Sequence, residues 1–174
     1  VNGNLTINSS STTAINWGNT SGNLSAIFLR GNFTQTAGTL VAGTTATNRL
    51  RFVNTGVKNY SASTTIALTE LLVEGGTLDL GSSGLAITAP VTVSAGATLK
   101  LGSGNVTSNV GTVTLSVGSN IEFVSTGVLN NTGNFATVLN STLTTVNPDG
   151  IATTGATGCV QSSGTRTFAT TASY

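Results

Sequence analysis

Leu71-Leu72-Val73-Glu74-Gly75-Gly76-Thr77-Leu78-Asp79-Leu80-Gly81-Ser82-Ser83-Gly84-Leu85-Ala86-Ile87 is the stretch that decides the fold. It holds three apolar pairs, Leu71/Val73, Leu78/Leu80 and Leu85/Ile87, separated by glycine- and serine-bearing corners. Alternation at i and i+2 places each pair on one face of a short strand. The residues that follow repeat the arrangement. Val91/Val93, Leu99/Leu101 and Val106 come next, then Val113/Leu115, Ile121/Phe123 and Val128, then Phe135, Leu143 and Ile151.

Working outward, the pairs Leu5/Ile7, Ile27/Leu29, Leu50/Phe52, Leu71/Val73, Val91/Val93, Val113/Leu115 and Phe135/Thr137 begin at intervals of 22, 23, 21, 20, 22 and 22 residues. A fixed period in this range marks a repeat architecture, in which each unit buries its apolar face by stacking on its neighbours. The prediction is an all-β parallel β-helix (β-solenoid) of about seven to eight coils of 20–23 residues, with three short strands per coil. A β-sandwich would also show frequent turns, but it has no reason to repeat the whole pattern at near-constant length. Residues 12–47 are read as two coils with longer corners, and Cys159 to Phe168 as an incomplete eighth coil. Gly75, Gly96, Gly118 and Asn140 fall at equivalent corners, where residues tolerant of positive φ are needed.

With no linker evident, residues 1–174 are read as a single β-solenoid segment, cut from a longer repeat protein. No signal peptide is read at the start, and no capping segment before Tyr174.

The composition agrees with stacking. Apolar residues make up 38%, enough for a continuous core, whereas charged residues make up only 6%, far below the quarter of ordinary soluble domains. A lysine repeated at one rung would face its copies at ~5 Å, so a ladder selects Thr, Ser and Asn for its outer positions. The scarcity of Glu, Lys, Arg and Met argues against long helices. A net charge of +1, spread thinly, offers no cationic patch for nucleic acid. No apolar run reaches the ~18 residues of a membrane span.

Few residues carry chemistry. Without histidine, and with Cys159 as the lone cysteine, a zinc site of ordinary type is excluded, and no cofactor motif appears. Cys159 reads as a small buried residue in a strand. Glycoside cleavage needs two carboxylates about 5–10 Å apart. Glu70 and Glu74 flank an inward pair and point outward, while Asp79, Lys100 and Glu122 occupy matching outward positions on successive coils. The three are read as a charge-compensated surface ladder, with a polysaccharide-lyase-like site as the alternative. Asn147-Pro148-Asp149-Gly150 is a turn by its chemistry. Nine Asn-x-Ser/Thr triplets, at Asn4, Asn8, Asn19, Asn23, Asn32, Asn59, Asn105, Asn130 and Asn140, follow from a composition rich in those residues. Among the aromatics, Phe52, Phe123 and Phe135 match inward positions. Trp17 and Tyr60 are the candidate glycan contacts.

Gly31-Asn32-Phe33-Thr34-Gln35-Thr36-Ala37-Gly38-Thr39-Leu40, Leu50-Arg51-Phe52-Val53-Asn54-Thr55-Gly56 with Tyr60, and Ala95-Gly96-Ala97-Thr98-Leu99-Lys100-Leu101-Gly102 share one repeat language. With Asn147-Pro148-Asp149-Gly150-Ile151 through Thr157-Gly158, and Gly164-Thr165-Arg166-Thr167-Phe168, the chain resembles the β-solenoid adhesin-like proteins of Bacteroidota exported by the type IX secretion route. The resemblance implies an extracellular, cell-surface location and a structural or adhesive role, cell adhesion within a larger secreted fibre. It also implies flanking repeats or other surface proteins as partners, a sorting domain beyond this stretch, and no catalytic residues. Cys159 departs from the pattern, which carries a small polar residue there. A glycan-binding β-helix module is the second reading, a polysaccharide-degrading enzyme the third. An ice-binding surface, suggested by outward threonines, would need regular ranks where these are mixed.

Overall fold

The computed structural model describes residues 1–8, 14–16, 25–41, 48–63, 66–68, 70–87, 91–108, 113–131, 134–138, 140–152, 157–171 and 173–174. In chain order the strands begin with β1 (Leu5–Asn8), β2 (Ala14–Asn16), β3 (Ser25–Leu29), β4 (Phe33–Ala37), β5 (Thr39–Val41), β6 (Asn48–Phe52) and β7 (Val57–Ala62). They continue as β8 (Ile66–Leu68), β9 (Glu70–Val73), β10 (Thr77–Asp79), β11 (Leu85–Ile87), β12 (Val91–Val93), β13 (Thr98–Leu101) and β14 (Val106–Ser108). The last are β15 (Val113–Leu115), β16 (Asn120–Phe123), β17 (Leu129–Asn131), β18 (Phe135–Ala136), β19 (Thr142–Thr145), β20 (Val160–Ser162) and β21 (Arg166–Thr167). No helix occurs among the described residues.

Every third strand stacks on the same face. The first face is β1-β4-β7-β10-β13-β16-β19 and the third is β3-β6-β9-β12-β15-β18-β21. The second is divided into β2-β5 and β8-β11-β14-β17-β20. The pairings are parallel throughout these sheets. The chain is therefore a three-faced parallel β-solenoid, as its period predicts.

The expected seven to eight uniform coils need correction. Because the second face is continuous only across the five strands β8 to β20, all three faces are hydrogen-bonded without a break for about four turns. The expected eighth coil is not separate, for β20 and β21 are the second and third sides of the winding that β19 opens. Early spacing differs as well. Leu5 pairs with Phe33 and Phe33 with Tyr60, offsets of 28 and 27 residues on the first face, so Leu5/Ile7 is not the rung before Ile27/Leu29. The 22-residue interval between those two pairs joins different faces.

Inward residues form columns of like on like. Leu78, Leu99, Ile121 and Leu143 lie in register on the first face. Leu50, Leu71, Val91, Val113 and Phe135 do so on the third, and Leu85, Val106, Leu129 and Val160 on the second. All of these are buried. Phe52, Phe123 and Phe135 are core, as read from the sequence. Leu129 takes the rung expected for Val128, because five residues separate it from Phe123 where only four separate Val106 from Leu101. Val160 takes the place expected for Ile151. Before it the chain turns at Asn147–Gly150, where the Gly150 amide donates to the Asn147 carbonyl at 2.8 Å, and Ile151 forms an antiparallel bridge with Gly158.

Corners carry the expected backbone. Gly96, Gly118 and Asn140 have φ of 72°, 71° and 56°. In the first of the series the left-handed residue is Gly76, not Gly75, because that corner is one residue shorter. At Gly127 the reason is different: a Cβ there would collide with the backbone carbonyls of Gly104 and Gly102 on the coil below.

The C-terminal segment packs against the last winding. Ser173 bridges to Thr142, and its carbonyl accepts from the Leu143 amide at 2.9 Å. Phe168 packs at 5.9 Å from Phe135 and at 5.6 Å from Tyr174, whose hydroxyl lies 2.8 Å from Thr137 Oγ1.

These columns generate a stability prediction. Ile121→Ala is expected to cost about 2–5 kcal/mol by urea denaturation, whereas Val117→Ala, on an exposed corner, should stay within about 0.5 kcal/mol. Equal effects would contradict the column.

Candidate binding surface

The outer faces carry the few charges. Asp79, Lys100 and Glu122 stand on consecutive rungs, with Asn59 before and Thr144 after them. Lys100 Nζ lies 2.8 Å from Asp79 Oδ2. The hydrogen bond that Lys100 donates to the Asp79 carboxylate, then the charge of Asp79, and to a lesser extent Glu122, hold the lysine above its ordinary pKa. The register thus brings the three residues onto one row, where the ion pair shown is that of Asp79 with Lys100. Its energy is small, about 0–1 kcal/mol, because the pair is open to solvent. The two carboxylates stand two rungs apart, ~10 Å, with the ammonium between them.

A second charged cluster escaped the sequence reading. Arg51 donates through Nε and Nη2 to both carboxylate oxygens of Glu74, the Nε contact being 3.0 Å, and its guanidinium carbon lies 4.6 Å from the centre of the Phe28 ring. This hydrogen bond to Glu74 raises the Arg51 pKa. Phe28 is 46% exposed, an aromatic ring left on the outer third face. The signal was present as spacing, since Phe28, Arg51 and Glu74 succeed one another at 23-residue offsets.

Beside this cluster, at the corner between the third and first faces, is a shallow cleft of about 430 Å³ lined by Arg30, Val53, Asn54, Thr55, Lys58 and Glu74. A smaller hollow of about 240 Å³ on the first face involves Asn59, Ser61, Asp79 and Ser82.

Of the two glycan candidates, Trp17 lies outside the described residues. Tyr60 is corrected: it is 1% exposed, stacked at 4.8 Å and 9° on Phe33 inside the solenoid, where no glycan reaches it. Its register with Phe33 makes it an inward rung. Burial pushes the phenol well above its ordinary pKa, and its hydroxyl has no hydrogen-bond partner among the described residues.

Several Asn-x-Ser/Thr asparagines serve the fold. Asn4 Oδ1 accepts from the Asn32 amide at 2.9 Å, Asn32 Oδ1 from the Asn59 amide at 3.0 Å, and Asn105 Oδ1 from the Val128 amide at 3.1 Å. These carboxamides satisfy backbone amides of the next coil. Asn147 acts locally, accepting from the Asp149 amide at 2.9 Å, which closes the predicted turn. Cys159 is buried and burial pushes its thiol up. It lies one residue before β20, not within it. Its carbonyl accepts from the Leu129 amide at 2.8 Å.

Tyr60 generates a paired prediction. Tyr60→Phe removes an unpaired buried hydroxyl, so it should stabilise the chain by about 1 kcal/mol. In the parent chain the folded phenol titrates above the ordinary value of 10.0, so the unfolded chain releases that proton first. Stability is full below pH 10 and falls as the pH rises from there toward the folded value; the variant should lose less over that range. A destabilised variant would show the hydroxyl to be bonded. Comparison with protein-family models, with curated proteins and with solved structures finds no match to this chain.

Proposed function

We propose that this chain is a non-catalytic structural and adhesive segment of an extracellular surface protein or fibre, working by length and outer surface. The observation that carries the reading is the laddering of parallel strands on three faces, with Thr92 on Thr114 and Asp79 on Lys100 at outer positions. Each rung is held by the one below and the one above, which suits a stalk loaded along its length. Of the two carboxylates on the outer first-face row, Asp79 is tied to Lys100 at 2.8 Å, and Glu122 stands one rung further on. The resemblance of the repeats to adhesin-like proteins of Bacteroidota supports the cell-surface and type IX part of the proposal, with flanking repeats and other surface proteins as partners.

A glycan-binding module is the second reading. The observation in its favour is an exposed aromatic ring, Phe28, next to a polar cleft.

Displayed on inert beads, the chain is expected to promote adhesion to polysaccharide- or protein-coated surfaces while releasing no new reducing or unsaturated ends from a panel of polysaccharides. The triple variant Asp79→Ala/Lys100→Ala/Glu122→Ala should adhere as the parent does. Saccharide fragments produced by the parent and lost in the variant would replace this reading with the enzymatic one.

A further inference from the structure

The first-face column has an exception. Leu78, Leu99, Ile121 and Leu143 are aliphatic, yet the residue paired with Leu78 on the preceding strand is Lys58. Two residues on, Tyr60 has the same side-chain direction and is buried, so Lys58 occupies an inward rung position by alternation. It is only half-buried and lines the cleft at the face junction together with Arg30. A lysine at an aliphatic rung weakens the column, since its stem must keep the ammonium in contact with water. The departure from the ladder therefore coincides with the opening of the surface.

The charges around the cleft are arranged unevenly. Among the described residues that line it, the one carboxylate, Glu74, is engaged through both oxygens by Arg51. Neither Arg30 nor Lys58 has an ion-pair partner among the described residues. Asn54 Oδ1 accepts from the Gly56 amide at 3.2 Å, which orients the carboxamide, and Thr55 is an exposed hydroxyl at the rim. Val53 supplies an apolar surface. Phe28 stands two residues before Arg30 along the same outward row, with Arg51 over its ring. Two unpaired cations, amide and hydroxyl groups, and an aromatic ring at the margin are complementary to a sugar that carries an anion.

We propose that this cleft binds an anionic saccharide unit, its carboxylate or sulfate placed between Arg30 and Lys58 and its ring near Phe28 and Val53. This deepens the adhesive reading above and rests on it, for it names the ligand class of a surface that does no chemistry. The shallow, open shape suits an internal unit of a polymer, which must enter and leave sideways. Attraction to two solvent-accessible cations is screened by salt.

The test uses the whole chain immobilised on a sensor, with polygalacturonate, dextran sulfate and neutral dextran as probes. One or both acidic polymers should be retained and neutral dextran should not, with retention falling between low and high salt. The double variant Arg30→Ala/Lys58→Ala should lose about tenfold or more in affinity. Lys100→Gln, which also removes a positive charge but on the outer ladder, should bind as the parent does. Circular dichroism and the urea midpoint establish that each variant is folded, and Lys58→Leu, which restores an aliphatic rung, should lose binding while gaining stability. Polygalacturonate retention alone assigns a uronate, and dextran sulfate retention alone a sulfated unit. Retention of neutral dextran equal to that of the acidic polymers, unchanged affinity in the folded double variant, or an equal loss in Lys100→Gln overturns the proposal. Adhesion that persists in the folded double variant would overturn this site while leaving the adhesive role intact, whereas cleavage of the probe would overturn the role itself.

Discussion

Parallel backbone hydrogen bonding between successive windings is the constraint on which the rest depends. Strands such as β10, β13 and β16 donate and accept on both edges, and no step can slip by one residue without turning an apolar row outward. The register Leu78, Leu99, Ile121, Leu143 is one consequence. Another is the identity of the corner residues. Gly127 has no Cβ because carbonyls of the coil below occupy that space, and Asn32 passes a side-chain hydrogen bond to the coil that follows it.

The same constraint governs electrostatics. A ladder multiplies every outward choice along the axis, so like charges on adjacent rungs repel and are excluded. The charges that remain come as complements, Asp79 with Lys100 and Arg51 with Glu74. Against this background Lys58 and Arg30 stand out, because the ladder gives them no ion-pair partner among the described residues and one of them displaces an aliphatic rung. Arg30 and Lys58, without an ion-pair partner among the described residues, thus meet at one corner.

Much of this architecture was legible in the chain itself, and the reasons are physical. Leu71, Leu78, Leu85 and their successors alternate strictly with polar residues, so period and face could be read together. Asp79, Lys100 and Glu122 could be placed on one outer row because the column beneath them was regular. The first two windings were not legible in the same way. Their offsets of 28 and 27 residues on the first face hide behind a 22-residue interval that joins different faces. Tyrosine suits both a wet surface and a core, and only the register with Phe33 places Tyr60 inside. The cleft depends on which long side chains meet across a corner, information that a period does not carry. Phe28, Arg51 and Glu74 show how close it came, being one coil apart at each step.

The central claim is that consecutive windings lie parallel and in register, and a cross-link on the outer third face tests it most directly. Thr92 and Thr114 are register partners on adjacent strands, while Ala136 is one rung further. With Cys159 replaced by serine, Thr92→Cys/Thr114→Cys should form a disulfide in the folded chain under mild oxidation, since adjacent rungs fall within the Cα separation such a bond spans. Thr92→Cys/Ala136→Cys, at ~10 Å, should not. Failure of the first pair to close in folded protein, or closure of the second in its place, would contradict the stacked solenoid.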